Sequence, residues 1–316
     1  MLSAHPRIGI ALGSGSARGW SHIGVLRALG EIGIEPDVVC GTSIGALVGA
    51  AYVAGQLDAL ETWVRSITPF DIVGLMDVTL ARGGVIGGAK LLKGLRNVHM
   101  DVRIGDLAKP FAAVATDFAT GRELWLQNGS LLEAVRASIS LPGIFPPLKV
   151  GGRWLLDGGL VNPVPVSVCR ALGADVVIAV NLNGDLTSRN VAPRSPRQRT
   201  AVPAAPQADL VNKLSARLKA ELRDTTSLLA TQILGTKQKK APGFFEVLAG
   251  AIYIMQDRIT RSRMAGDPPD VLLSPRLGYI RLLDFHRGEE AIGAGHACVT
   301  AMQPVLQQIL IPVAAD

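Results

Sequence analysis

The most constraining feature of this sequence is a Gly-x-Ser-x-Gly pentapeptide, residues 41–45. A short apolar strand, residues 37–39, precedes it and an apolar helix follows it. A serine between two such elements sits in a turn so sharp that its hydroxyl projects from the backbone, the arrangement called a nucleophile elbow. Side chains at Gly41 or Gly45 would collide with the neighbouring strand or helix, because the backbone doubles back there. The pattern predicts Ser43 as a nucleophile; in a chain with 35 glycines, a small-residue turn is the alternative.

Short apolar segments alternate with helix-like segments through the first 185 residues. The predicted strands cover residues 8–12, 37–40, 111–116, 123–126, 149–156 (as a hairpin) and 176–181, and the predicted helices residues 21–31, 44–64, 131–138 and 164–172. Fully apolar strands such as residues 176–180 are typical of strands buried on both faces. Interleaved with helices, they predict a three-layer α/β/α sandwich around a mostly parallel sheet.

Composition narrows the class of protein. Hydrophobic residues make up 48% of the 316, and the mean hydropathy is +0.31, yet no apolar run reaches the length of a membrane span, about 18 residues. Residues 1–7 lack the pattern of a signal peptide, so we expect a cytoplasmic protein. The three cysteines, Cys40, Cys169 and Cys298, lie far apart without metal-ligand spacing. They predict free thiols in a reducing compartment, and no metal site.

Positive charge is concentrated in one part of the chain. Residues 186–265 hold 14 Lys and Arg against 5 Asp and Glu, a net charge of +9, whereas the whole chain is +6 and the remainder therefore −3. Residues 188–199 are rich in Pro, Arg and Ser, which predicts a mobile loop. Residues 209–234 follow with leucines at helical spacing and basic residues between them.

Two interpretations of this basic segment remain open. Its helix either packs on the core through the leucine stripe, or contacts anionic lipid as a lid and membrane-docking element. Peripheral association with the inner face of the membrane is the corresponding hypothesis for location. No aromatic residues are interleaved with the Arg and Lys residues, which argues against nucleic acid as a partner. The predicted organisation is a catalytic core over 1–185, the basic segment over 186–265, and a part over 266–316 that completes the fold.

A second Gly-rich turn follows the first predicted strand. A dinucleotide-binding loop would require a third glycine at position 18, which is arginine, and its bulk opposes close packing of helix on strand. An oxyanion hole fits better, because small residues let backbone N–H groups approach a developing negative charge. In this interpretation Arg18 either anchors the loop or holds an anionic headgroup. The candidate oxyanion residues are Gly13, Ser14, Gly15, Ser16, Arg18 and Gly19.

A serine nucleophile requires a base. The downstream histidines, His99, His286 and His296, lie in contexts that do not suggest a catalytic loop, and His22 is interpreted as structural. Asp157 is the sharper candidate, because it ends a predicted strand and is followed by Gly158 and Gly159. Apolar neighbours would remove water from its carboxylate and raise its basicity.

These motifs together resemble the patatin-like phospholipase family, in particular its small bacterial members related to the catalytic domain of neuropathy target esterase. The resemblance rests on Arg18-Gly19 in the Gly-rich loop, Gly41-Thr42-Ser43-Ile44-Gly45, the stretch 138–147 and Asp157-Gly158-Gly159. Order and spacing agree over about residues 7–183, and residues 271–292 also look familial. One departure is Ser14-Gly15-Ser16, where the family usually has three glycines; backbone donors survive this change.

The resemblance implies a fold, an activity and a set of roles. It implies a patatin-like sandwich that hydrolyses acyl esters of phospholipid, lysophospholipid or neutral lipid, with no metal and no cofactor. It also implies a Ser-Asp dyad, with Ser43 as nucleophile and Asp157 as its direct base without histidine. The alternatives are an acyltransferase or thioesterase that uses the same acyl-enzyme, and a lipid-binding regulatory module with a vestigial site.

Overall fold

A mixed, mostly parallel sheet forms the centre of the protein. The computed structural model describes residues 6–71, 98, 100–184 and 244–308. Within these ranges the sheet has eight strands, seven of which pair in the order β5-β6-β3-β2-β1-β7-β8. The eighth, β4, pairs with the edge of β3 opposite to the one that β2 and β6 share. The strands are β1 (Ile8–Leu12), β2 (Val38–Thr42), β3 (Phe111–Asp117), β4 (Glu123–Leu126), β5 (Leu148–Val150), β6 (Arg153–Asp157), β7 (Val176–Val180) and β8 (Val271–Leu273).

Helices cover the two faces of this sheet, which confirms the predicted three-layer class. They are α1 (Ser21–Glu31), α2 (Ile44–Val53), α3 (Leu57–Ser66), α4 (Leu131–Ser138), α5 (Val166–Ala171), α6 (Phe244–Gly266) and α7 (Gly288–Gln307). Alternate residues of the strands face opposite layers. In β1, Ile10 and Leu12 join the larger core with α1, α2 and α7, whereas Ala11 joins a smaller core against α5.

Strand directions decide where side chains can meet. The pairs β1–β2, β2–β3, β1–β7 and β7–β8 are parallel. By contrast, β6 runs antiparallel to β3 and pairs with its carboxyl-terminal end, beyond the point where β2 stops. The carboxyl ends of β2 and β6 therefore approach each other along the same side of β3.

One predicted helix is divided in two. Residues 44–64 form α2 and α3, because Gly55 adopts a positive φ of 69° and ends the first of them. The N–H of Gln56 bonds to the carbonyl of Ala51 at 2.7 Å, and that of Gly55 to Tyr52 at 3.0 Å. These two hydrogen bonds form a Schellman motif, in which glycine takes the left-handed position without a steric cost.

The elements after residue 184 extend the core. Strand β8 adds a parallel strand beside β7, and α7 crosses α1 so closely that a side chain at Gly24 would meet the carbonyl of Ile292. Helix α6 is the described part of the basic segment, and it contacts the 3-10 turn Gly158–Leu160 after β6 and, through Ile252, the loop after α4. The loop predicted at 188–199 and the helix predicted at 209–234 lie outside the described residues. In the part of the chain that is described, we find no helix with the length and apolar character of a transmembrane span.

Candidate active site

Ser43 occupies a strained turn between β2 and α2. Its φ of 57° and ψ of −124° place a non-glycine residue in a sparsely populated conformation, which is typical of a nucleophile elbow. A Cβ at Gly41 would meet the backbone of Ala46, and one at Gly45 would meet the carbonyl of Leu12. The predicted steric reason for both glycines is therefore correct. The Ser43 side chain is nearly buried, with the residue 9% exposed.

Sheet register brings Asp157 to Ser43. Thr42 pairs with Val114 on β3, and Asp157 pairs with the next residue, Ala115. The residue that follows β2 and the last residue of β6 are consequently neighbours, although 114 positions separate them. The Oγ of Ser43 donates a hydrogen bond of 2.6 Å to Oδ2 of Asp157.

The environment of Asp157 makes its carboxylate more basic than usual. The residue is 1% exposed, and its second oxygen, Oδ1, accepts the N–H of Gly159 at 2.7 Å. Burial raises the pKa of Asp157 to about 7, against the lowering effect of the hydrogen bonds from Ser43 and Gly159. A carboxylate with this pKa and this contact can take a proton from the serine hydroxyl near neutral pH.

Both glycines after Asp157 have close neighbours, and at Gly158 that neighbour is backbone, which cannot move aside as a side chain can. A Cβ at Gly158 would meet the carbonyl of Val114, and one at Gly159 would meet Nε2 of Gln256. Small residues at both positions let the chain turn away from β6 directly after the carboxylate. The turn is a short 3-10 helix over Gly158–Leu160.

The Gly-rich loop lies against the elbow. A Cβ at Gly19 would collide with the side chain of Ile44, the residue after Ser43. The N–H groups of Gly13 and Ser14 are already bonded, to the carbonyls of Val180 at 3.0 Å and Pro163 at 2.8 Å. The next two N–H groups, of Gly15 and Ser16, have no hydrogen-bond partner within the described ranges. Two adjacent unpaired donors are what an oxyanion hole requires.

Ser16 is held in place by its side chain. Its φ is 51°, and its Oγ donates a 2.7 Å hydrogen bond to the carbonyl of Leu282, which also accepts the N–H of Ala17 at 3.2 Å. The loop before α7 thus anchors the Gly-rich loop through one carbonyl group.

Arg18 anchors the Gly-rich loop through a buried guanidinium group. It is 1% exposed, and its guanidinium donates from Nε to the carbonyl of Gly15 and from Nη1 to that of Leu182, each at 3.3 Å. The guanidinium also stacks 4.2 Å from the centre of the Tyr253 ring. Of the two roles considered for Arg18, this burial supports anchoring over contact with a headgroup.

None of the described histidines hydrogen-bonds to Ser43 or Asp157. His22 is fully buried, its Nε2 lies 2.8 Å from the carbonyl of Gly13, and burial lowers its pKa to about 4. His22 is therefore neutral and donates to the Gly-rich loop, as the structural interpretation predicts. His296 lies at the surface against Glu31, His286 follows β8, and His99 is outside the described residues.

Two residues at the site were not identified from sequence as functional. The Oγ of Ser138, at the end of α4, accepts the N–H of Ser43 at 2.8 Å and donates to the carbonyl of Val114 at 2.6 Å. Gln256 of α6 contacts Ser14 and lies beside Gly159. Ser138 belongs to the stretch 138–147, but only the tertiary structure shows its contact; Gln256 carries no signal in a single sequence.

Comparison with known proteins gives extensive matches. The family model for Patatin-like phospholipase matches residues 10–170. An uncharacterized NTE family protein of Mycobacterium tuberculosis is 34% identical over 94% of this chain and 91% of its own length. Human patatin-like phospholipase domain-containing protein 6 is 38% identical over 55% of this chain but only 13% of its own length. VipD of Legionella pneumophila aligns with 97% of this chain and 77% of its own at 13% identity and a TM-score of 0.37, too weak for any argument.

The matched range contains the residues that form the site. The Gly-rich loop, the elbow and the Asp157-Gly158-Gly159 turn all lie within residues 10–170, and the mycobacterial relative aligns along nearly the whole chain. On these matches, the chain belongs to the patatin-like phospholipase family and is a lipid ester hydrolase.

Proposed function

We propose that this protein hydrolyses acyl esters of phospholipid, lysophospholipid or neutral lipid through a dyad of Ser43 and Asp157. The observation that supports it most directly is the 2.6 Å hydrogen bond between Ser43 Oγ and the buried carboxylate. Ser43 Oγ attacks the ester carbonyl carbon while Asp157 Oδ2 takes its proton. The carbonyl oxygen becomes an oxyanion, which the free N–H groups of Gly15 and Ser16 stabilise.

The second half of the reaction uses the same groups in reverse. When the tetrahedral intermediate collapses, the alcohol leaves with the proton from Asp157, and the acyl group remains as an ester on Ser43. Water then attacks this ester, gives a proton to Asp157, and releases the fatty acid as Ser43 recovers its proton. No step requires a histidine, which agrees with the finding that neither His286 nor His296 hydrogen-bonds to Ser43 or Asp157.

A small apolar cluster beside the site supports a lipid acyl group as the substrate. Leu141 and Ile144, from the loop after α4, pack with Ile252 of α6 and with Leu282. This cluster is separate from the two larger cores. Two hydrogen bonds connect this cluster to the site. The carbonyl of Ser140, just before Leu141, accepts the N–H of Asp157, and the carbonyl of Leu282 accepts the N–H of Ala17 in the Gly-rich loop. We place the acyl chain along these side chains.

The proposal predicts that a fluorophosphonate probe labels the protein through Ser43. Labelling and hydrolysis of a lipid panel should both disappear in Ser43→Ala, because the attacking oxygen is gone. Measurement of fatty acid release from phospholipid, lysophospholipid and acylglycerol identifies the preferred class. Full turnover in Ser43→Ala would contradict the proposal; probe labelling with acyl transfer but without fatty acid release would favour the acyltransferase alternative.

We also propose that the basic segment docks the enzyme on anionic membrane. The charge concentrated over residues 186–265 supports this, since each basic side chain near an anionic surface contributes about 1 kcal/mol. The described part of the segment adds an apolar stripe on the outer face of α6: Val247, Ile254 and Met255 are exposed, with Ile254 at 63%. Arg258 is also exposed, one turn further along the helix, and places a positive charge beside these apolar side chains. The opposite face of the same helix contacts the site.

Docking predicts separate effects on bilayer lipid and on soluble ester. Replacing Ile254 and Met255 by glutamate should lower binding to phosphatidylglycerol vesicles by roughly tenfold or more, because charge replaces buried apolar surface at the interface. Turnover of a short soluble ester should not change. Val305→Glu, at an exposed apolar position on α7, is the matched control and should bind vesicles as wild type does.

Neutralising the basic residues tests the other half of the docking proposal. Arg194, Arg197, Arg199, Lys213 and Arg217 lie outside the described residues; changing all five to glutamine should weaken vesicle binding and flatten its dependence on salt. Wild-type binding in both the apolar and the neutralised variants would refute membrane docking through this segment.

A further inference from the structure

A buried amide connects the three parts of the site. Gln256 of α6 is 4% exposed. Its Oε1 accepts two hydrogen bonds, from Ser14 Oγ at 3.1 Å and from Asn183 Nδ2 at 3.2 Å. Its Nε2 lies against the Cα of Gly159, so that a methyl group at that glycine would collide with it.

Each partner of Gln256 belongs to a different element of the catalytic machinery. Ser14 directly precedes Gly15, whose N–H is one of the two unpaired donors. Asn183 follows β7, beside Leu182, the residue whose carbonyl holds Arg18. Gly159 donates its N–H to Asp157. The single side chain therefore contacts the oxyanion loop, the strand end beneath it and the turn that holds the base.

The position of this amide is better explained by the site than by packing. A buried polar group stabilises the fold little, because its hydrogen bonds replace those it made with water, and each unmet bond is costly. Among the described buried residues of α6, Ile252 packs in the apolar cluster with Leu141 and Ile144, whereas the polar Asp257 and Thr260 follow Gln256 along the helix. The two hydrogen bonds that Gln256 Oε1 accepts restrict the positions of Ser14 and Asn183 more strictly than apolar contacts would. Catalytic groups require such supporting contacts, because small displacements of the donors cost rate.

We propose that Gln256 is a positioning residue that holds the oxyanion loop in register with the Ser43–Asp157 pair. It acts through Ser14: the hydrogen bond to Ser14 Oγ fixes the backbone immediately before Gly15, and hence the direction of the Gly15 and Ser16 N–H groups. The inference rests on the proposed hydrolytic function. It assigns part of that function to α6, which lies outside residues 10–170 matched by the family model.

The test separates positioning from packing. Gln256→Met keeps the length of the side chain but removes both hydrogen bonds that Oε1 accepts. The value of kcat/KM for a short soluble ester should fall about 10- to 100-fold, which is at most the decrease caused by removing one oxyanion donor. KM should change by less than about threefold. Affinity for a trifluoromethyl ketone, which forms a tetrahedral adduct with the serine, should fall by the same factor as kcat/KM.

Arg263→Met is the matched control on the same helix. Arg263 fastens α6 through Glu123 at 2.6 Å and the carbonyl of Val161 at 2.8 Å, without touching the oxyanion loop. Its loss should lower thermal stability while kcat/KM and ketone affinity stay at the wild-type value. Equal losses of ketone affinity in the two variants would overturn the inference, because docking of the helix would then explain both.

Ser14→Ala makes the proposal testable even if Gln256→Met does not fold. It removes the hydroxyl through which Gln256 acts, so it should lower ketone affinity, and the double variant should be no worse than Gln256→Met alone. Wild-type ketone affinity in Ser14→Ala would overturn the inference. Ser43→Ala separates failure of the proposed function from failure of this inference. Activity that survives in Ser43→Ala contradicts the proposed function. If Ser43→Ala is inactive but Gln256→Met has wild-type kinetics, only the role of Gln256 is contradicted.

Discussion

Replacing Asp157 by asparagine is expected to lower kcat about as far as replacing Ser43 by alanine, by at least roughly 10³-fold. Asparagine keeps the shape of the side chain and can still accept the N–H of Gly159, but it cannot take the proton of Ser43 Oγ. Initial rates with a soluble ester and with micellar lysophospholipid, at saturating substrate, measure the effect.

His286→Ala and His296→Ala are the controls for this prediction. Neither residue hydrogen-bonds to Ser43 or Asp157, so each variant should keep at least about a third of wild-type turnover. A histidine variant as inactive as Ser43→Ala, with its fold intact by circular dichroism, would contradict the dyad. His22 is unsuitable as a control, because its Nε2 supports the carbonyl of Gly13 at 2.8 Å.

The raised pKa of Asp157 makes the same variant informative about pH. Only the carboxylate form accepts the proton, so wild-type kcat/KM should fall about tenfold per unit as pH decreases below about 7. Because the pKa in the folded state lies above its unfolded value, this group favours the folded state most at acid pH, and that contribution is lost as pH rises through about 7. Asp157→Asn should therefore unfold at a higher temperature than wild type at pH 8, with the difference shrinking toward pH 5.

The local parts of the site could be predicted from sequence, because their signals are short. Gly41 and Gly45 mark the elbow by their spacing around Ser43, and the limits of α1 and α4 match the predicted helices. A single glycine after an apolar helix, Gly55, also indicates the end of α2. The helical pattern that resumes at Leu57 instead favours one continuous helix, which is why the predicted boundary is wrong.

The non-local parts could not be predicted in the same way. The pairing of Asp157 with Ala115 depends on β6 running antiparallel to β3, and no feature within either strand specifies that register. In the sequence, Asp157 is distinguished by its position at the end of a predicted strand before two glycines, and the order and spacing shared with a known family strengthen this choice. Gln256 shows the limit more plainly, because an isolated glutamine on a helix gives no indication of a partner 242 residues away.

Gly15→Val is expected to lower kcat/KM by about 10²-fold or more, comparable to the loss of an oxyanion donor. The φ of Gly15 is 170°, which any residue can adopt, so the reason is steric. A Cβ at this position would lie 2.7 Å from Cδ1 and 2.8 Å from Cβ of Leu182, and the larger valine must push the loop away from β7. The N–H groups of Gly15 and Ser16 then no longer point at the carbonyl oxygen. Ketone affinity and kcat/KM should fall together while KM changes little.

Two variants decide whether this loss comes from the oxyanion hole. Gly30→Val, on the exposed side of α1 with no atom near its Cβ, makes the same substitution away from the site and should leave kinetics unchanged. Ser16→Gly should stay within about tenfold of wild type: glycine adopts the φ of 51° at no cost, and the donor is the main chain, so only the bond to Leu282 is lost. A loss in Ser16→Gly as large as in Gly15→Val would contradict this assignment, because the Ser16 side chain, through its hydroxyl or through its bond to Leu282, would then be essential to the oxyanion hole.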